Sequence, residues 1–131
     1  MLPEPETYKI STCIPEEFLK ELMDAVNDAV EPLYPGYDRA FCYWPVKGTW
    51  RPLEGSNPYN GTIGEIEIAD EMKLEFAVRK KDLKKVIDTI VSIHPYEEPV
   101  IDVIPIYTHK DVISWESPRG SCRTSSASCG S

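Results

Sequence analysis

Residues 8–26, YKISTCIPEEFLKELMDAV, and residues 72–90, MKLEFAVRKKDLKKVIDTI, are two copies of one pattern, offset by 64 positions. Lys9 falls on Lys73, Leu19 on Leu83, Lys20 on Lys84 and Asp24 on Asp88. The apolar positions coincide as well: Ile10 with Leu74, Ile14 with Val78, Leu22 with Val86 and Val26 with Ile90. Self-similarity of this kind marks a structural unit used twice. In each copy an alternating stretch comes first: Tyr8, Ile10, Thr12 and Ile14 in one, Met72, Leu74, Phe76 and Val78 in the other. A period of two reads as a strand with one buried face. Apolar residues then recur at steps of three and four: Phe18, Leu19, Leu22, Met23, Val26 and Val30 in the first copy, Leu83, Val86, Ile87, Ile90 and Val91 in the second. That spacing gives one apolar stripe on a helix. Pro15 suits an early helical position, where its missing N–H costs nothing.

Working outward, each helix is followed by a further strand candidate, YDRAFCYWPV at 37–46 and VIDVIPIY at 100–107. Pro105 confines the last one to an edge or a bend. The order is β-α-β-β-α-β. A four-stranded antiparallel sheet with both helices on one face buries both stripes, so the expected fold class is α+β, ferredoxin-like. Strands are expected near 7–14, 37–46, 70–79 and 99–107, with helices near 16–30 and 80–93. The connection from Pro45 to about Gly64 falls outside the repeat and is punctuated by Gly48, Pro52, Gly55, Pro58 and Gly61. Long connections in small domains are usually either functional or disordered. Trp50, Leu53, Tyr59 and Ile63 argue that this one packs in order. The domain is expected to span residues 1–110. The serine-rich stretch 111–131 has too little to bury and reads as a disordered tail.

The chain has 131 residues, which the length prior assigns to one domain. Its net charge of −8 disfavours nucleic acid as a partner, because phosphate neutralisation needs a basic surface. No apolar run reaches the roughly 20 residues of a spanning helix, and the start lacks the order of a signal peptide. A cytoplasmic location without a membrane partner is therefore expected. Of the four cysteines, Cys13 and Cys42 read as small buried hydrophobes and Cys122 and Cys129 as tail thiols; none has the C-x-x-C spacing of a zinc or redox motif.

The densest polar feature is His94-Pro95-Tyr96-Glu97-Glu98-Pro99. An imidazole and two carboxylates in one turn suit a divalent metal or acid–base chemistry. The same residues equally serve as a rigid connector, with Pro95 ending the helix. Composition favours the connector, since one turn supplies only part of a metal site. The Gly48–Gly55 segment either wraps a ligand or folds back as a flap anchored by Trp50 and Leu53; it is neither a Walker A loop nor a dinucleotide motif. Arg79, Lys80, Lys81, Lys84 and Lys85 read as a solvated helix face. No nucleophile–histidine–acid set is visible, so an enzyme is the reading with least support.

Three blocks, YKISTCIPEEFLKEL, GTWRPLEGSNPYNGTIGEIE and HPYEEPVIDVIPI, resemble the YqfO-like family. This is the small CutA/PII-like domain also found in the Nif-type proteins called NGG-interacting factor homologues. The resemblance runs from Tyr8 to about Tyr107. It implies a ferredoxin-like fold and a homotrimer with ligands in the clefts between subunits. The dimetal site of the larger proteins lies in flanking domains, for which this chain has no room. The function expected is a non-catalytic regulatory or scaffold domain, with a small-ligand or divalent-metal-ion sensor as the alternative. For the sensor, the ligand-binding candidates are Trp50, Arg51, Glu54, His94 and Tyr96, and the metal candidates His94, Glu97 and Glu98. Some of the aromatic Phe41, Tyr43 and Trp44 are expected on a sheet face that the helices leave uncovered and that serves as an interface.

Overall fold

The computed structural model describes residues 2–115. β1 (Thr7–Ile14) leads through a 3-10 turn, Glu16–Phe18, into α1 (Leu19–Ala29). β2 (Cys42–Trp50) and β3 (Glu67–Arg79) follow. A second 3-10 turn, Lys80–Asp82, then opens α2 (Leu83–Ile93), and β4 (Ile101–Ile106) and α3 (His109–Trp115) complete the chain. The strands form one antiparallel sheet in the order β2-β3-β1-β4. This is the ferredoxin-like arrangement that the repeat predicts, and the two repeated strands lie side by side at its centre.

The alternation decides which face is covered. Ile10, Ile14, Leu74, Phe76 and Val78 point to one face and meet Leu19, Leu22 and Val26 of α1 and Val86 and Ile90 of α2. All are buried, and Ile10, Ile14, Leu22, Leu74, Val86 and Ile90 are wholly inaccessible. Thr12 shares this apolar face because its hydroxyl is satisfied, donating to the Val100 carbonyl at 2.8 Å. The opposite face, with Ser11, Cys13, Glu71, Lys73, Glu75, Trp44 and Trp50, carries no helix of the repeat.

The structure moves several boundaries. The second strand starts five residues later than expected, because residues 34–41 fold into a turn: Tyr34 bridges Tyr37, Gly36 has φ +88° and Arg39 φ +54°. Asp24 and Asn27 of α1 hold that turn through the guanidinium and the backbone N–H of Arg39 at 2.7 and 2.9 Å. The strand also runs on to Trp50, past Pro45 and Gly48. Both are tolerated because β2 is an edge strand paired only with β3. The connection proper is thus 51–66.

Of Phe41, Tyr43 and Trp44, some of which are expected on the uncovered face, Trp44 lies there. Tyr43 stands opposite Leu74 on the helix side, half exposed, and Phe41 packs edge-to-face on Phe76 at 5.3 Å. Cys13 is half-buried and Cys42 is exposed, since both lie on the face without helices; the reading of Cys42 as a buried hydrophobe is corrected. Short α3 crosses the expected boundary at residue 110, its start capped by Thr108 and Asp111. Residues 116–131, with Cys122 and Cys129, lie outside the described residues. No helix among the described residues is long and apolar enough to cross a membrane.

Candidate functional site

The face without helices is not bare throughout. At the end where β1 finishes, the 51–66 connection folds over it from one side and the His94–Pro99 turn from the other. Between them lies an open cleft of about 600 Å³. Its floor is sheet: Cys13 of β1, Gly48 and Trp50 of β2 and Glu71 of β3. Its walls include Arg51, Pro52, Leu53 and Tyr59 from the connection and Tyr96, Glu97 and Glu98 from the turn.

The connection is ordered by its own hydrogen bonds. The Trp50 indole N–H donates to the Asn60 carbonyl at 3.2 Å, Gly64 N–H to the Pro52 carbonyl at 2.8 Å, and Ser56 N–H to the Leu53 carbonyl at 3.1 Å. Gly61, at φ +114°, suits glycine on backbone grounds, and a Cβ there would stand a tight 3.2 Å from the Pro52 ring. Pro52 is the buried anchor here, while Leu53, expected to pack, is 60% exposed. The two walls are joined directly, Asn57 N–H donating to Glu97 Oε1 at 2.9 Å. An aromatic chain also spans them, with Trp50 and Tyr59 ring centroids 5.4 and 5.9 Å from that of Tyr96.

His94 sits behind this wall, not in the cleft. Its Nδ1 accepts the Tyr96 N–H at 3.2 Å, so its Nε2 carries the hydrogen and donates to the Cys13 carbonyl at 2.6 Å. The ring is neutral and both nitrogens are engaged. Burial holds its pKa below the ordinary histidine value, outweighing the Cys13 hydrogen bond and the Glu71 charge. Tyr96 donates its hydroxyl to Glu71 Oε2 at 2.5 Å. Burial first, and then the Glu71 carboxylate, push the phenol pKa far above its ordinary value. Burial likewise raises the Cys13 thiol, with the Glu71 charge adding to it. Glu71 is itself buried, and its carboxylate occupies the space beside Gly48 that a side chain would need: a Cβ there would come within 2.2 Å of Glu71 Oε1.

The structure brings Trp50, Arg51, Tyr96, Glu97 and Glu98 to one cleft. Glu54 is exposed and outside its lining, and His94 is a buried support for Tyr96. Among the described residues no group of three or more His, Cys, Asp or Glu side chains stands close enough together to hold a metal ion. Glu71 and Tyr59 also line the cleft, though neither is among the sequence candidates, and Gly48 enters those candidates only as the start of the Gly48–Gly55 segment. Little in the sequence marks them, since Glu71 is one of several acids in a strand pattern and Gly48 reads as loop punctuation.

Residues 61–117 match the family described as CutA1 divalent ion tolerance protein. A Staphylococcus epidermidis protein named GTP cyclohydrolase 1 type 2 homolog is 34% identical over 97 residues, 74% of this chain and 26% of that protein. The chain thus spans about a quarter of the length of such curated relatives. Among solved structures, the Bacillus cereus protein related to NIF3 superposes with a TM-score of 0.69 at 27% identity, over 81% of this chain and 27% of that one. CutA1 from Shewanella sp. SIB1 superposes with a TM-score of 0.62 at 16% identity, over 88% of this chain and 96% of that one, which shows a shared fold. Sequence and fold agree that this chain resembles the CutA-like domain of the YqfO-like, NIF3-related proteins.

Proposed function

We propose that the chain is a non-catalytic regulatory domain that senses a small ligand in the cleft between the 51–60 segment and the His94–Pro99 turn, acting as a homotrimer. The observation that carries the reading is the cleft itself. It is concave, ordered by hydrogen bonds on both walls, and lined by Trp50, Pro52, Leu53, Tyr59 and Tyr96 with a few polar groups between them. That mixture is the composition of small-molecule sites. The groups suited to proton transfer are already engaged: the His94 ring with the Cys13 carbonyl and the Tyr96 backbone N–H, and the Tyr96 hydroxyl with Glu71. This supports binding over chemistry. A divalent ion held through His94 has less support, because both ring nitrogens are already engaged.

Self-association has independent support from the surface. Ile66, Ile68, Val103 and Ile104 are exposed along the β2–β3 and β4 sides, with Trp44 on the face free of helices. Exposed apolar surface of this kind marks an interface more often than a solvated face. Native mass spectrometry of the purified chain reports both properties at once. The expected spectrum is a trimer with extra mass of small-molecule size, lost on collisional activation. A bare monomer would overturn the reading.

A further inference from the structure

Glu71 is a charged side chain held only 6% exposed at the floor of the cleft. A carboxylate has room for about four hydrogen bonds. Glu71 has one: Oε2 accepts the Tyr96 hydroxyl, while Oε1 has no donor among the described residues and is reached by solvent. Nor does Glu71 form an ion pair among them, although Lys73 follows two residues later on the same strand face. Gly48 fixes where the unfilled oxygen lies, since the carboxylate rests in the space a Cβ would take. The surroundings favour positive charge. Trp50, Tyr59 and Tyr96 line the cleft, and aromatic rings attract cations. Glu97 and Glu98 stand at the rim, and exposed Arg51 is the one cation of the lining.

We infer that the cleft takes a small organic cation with N–H donors, a protonated amine or a guanidinium. Its head fills Glu71 Oε1 by a charge-assisted hydrogen bond among the three rings. The inference rests on the cleft being a small-ligand site. It names the class of ligand, with Glu71 as the residue that selects it.

The test is calorimetry and Trp fluorescence on the full chain with five probes: agmatine, butylamine, choline, acetate and zinc chloride. Agmatine and butylamine are expected to bind. Choline, which has no N–H, should bind about tenfold more weakly or worse, because the charge-assisted hydrogen bond is missing. Glu71→Gln removes the charge at nearly constant shape and should weaken amine binding by about tenfold or more. Gly48→Ala displaces the same carboxylate from the other strand and should act in the same direction. Asp88→Asn, on the exposed side of α2 and away from the cleft, should change affinity by less than about threefold. Circular-dichroism melts confirm that each variant is folded, and the Gly48 variant stands in should Glu71→Gln fail to fold. Amine binding that both Glu71→Gln and Gly48→Ala leave unchanged overturns the inference. So does binding of acetate or zinc in the cleft without the amines, which leaves the small-ligand reading standing. Silence from all five probes, with no retained mass in the native spectrum, overturns both.

Discussion

Ser11 and Glu75 face each other across the central strand pair, and each is also the other's counterpart in the 64-residue repeat. A position that is both its partner's repeat equivalent and its cross-strand neighbour lies on an approximate two-fold axis. That axis relates β1 and α1 to β3 and α2. The same operation carries Leu22 of α1 onto Val86 of α2, both wholly buried.

Leu22 and Val86 are thus equivalent core positions. Truncating either to Ala should cost about 1.5–4 kcal/mol, from lost apolar burial plus the cavity left behind. Urea unfolding of the two variants checks this. Losses under about half a kcal/mol at both sites would contradict the equivalence.

The Tyr96 hydroxyl is the only hydrogen-bond donor to Glu71 among the described residues. Tyr96→Phe should therefore destabilise the chain by about 1–3 kcal/mol, the cost of leaving a buried acceptor unsatisfied. The double variant Tyr96→Phe with Glu71→Leu should recover part of that loss, because both polar partners are then gone. Denaturant midpoints of the three proteins provide the comparison.

His94 makes stability depend on pH with a definite sign. Its pKa in the folded chain lies below that of a free imidazole, near 6.5, because burial disfavours the charged ring. As pH falls through that free value the unfolded chain takes up the proton first. The unfolded state then binds more protons, and stability declines until the folded pKa is passed. Above 6.5 the contribution is constant. Chemical denaturation between about pH 5 and pH 8 should show the decline in wild type and a flatter profile in His94→Gln.

The open sheet face and the exposed isoleucines predict self-association. Light scattering at tens of micromolar should give the mass of a trimer. Ile68→Lys, which places a charge on exposed apolar surface, should lower the associated fraction and leave the helical signal intact.

How much of this was legible in the sequence depended on periodicity. The repeat fixed both core strands and both helices, since alternation and helical spacing follow from burial on one face. The ends of β2 were not legible. Pro45 and Gly48 read as loop punctuation, yet an edge strand has no second partner for Pro45 to disappoint, and Gly48 is there to admit Glu71. Short α3 lies next to a serine-rich stretch whose composition dominates any local pattern. In the site, Trp50, Arg51, Tyr96, Glu97 and Glu98 were found because they crowd two punctuated segments. His94 was found too, but its place behind the cleft depends on the Cys13 carbonyl, 81 positions away. Glu71 was hidden within a strand, where one acid among several gives no sign of which is buried.

The cleft is tested most directly by amide chemical-shift mapping of the isotopically labelled chain against a library of small amines, acids and nucleotides. A ligand of the cleft should move the amides of Gly48, Trp50, Asn57, Tyr96 and Glu97 together, saturably, and leave those of Leu22 and Val86 in place. Shifts confined to other surfaces, or none across the library, would contradict the assignment of this cleft as the ligand site.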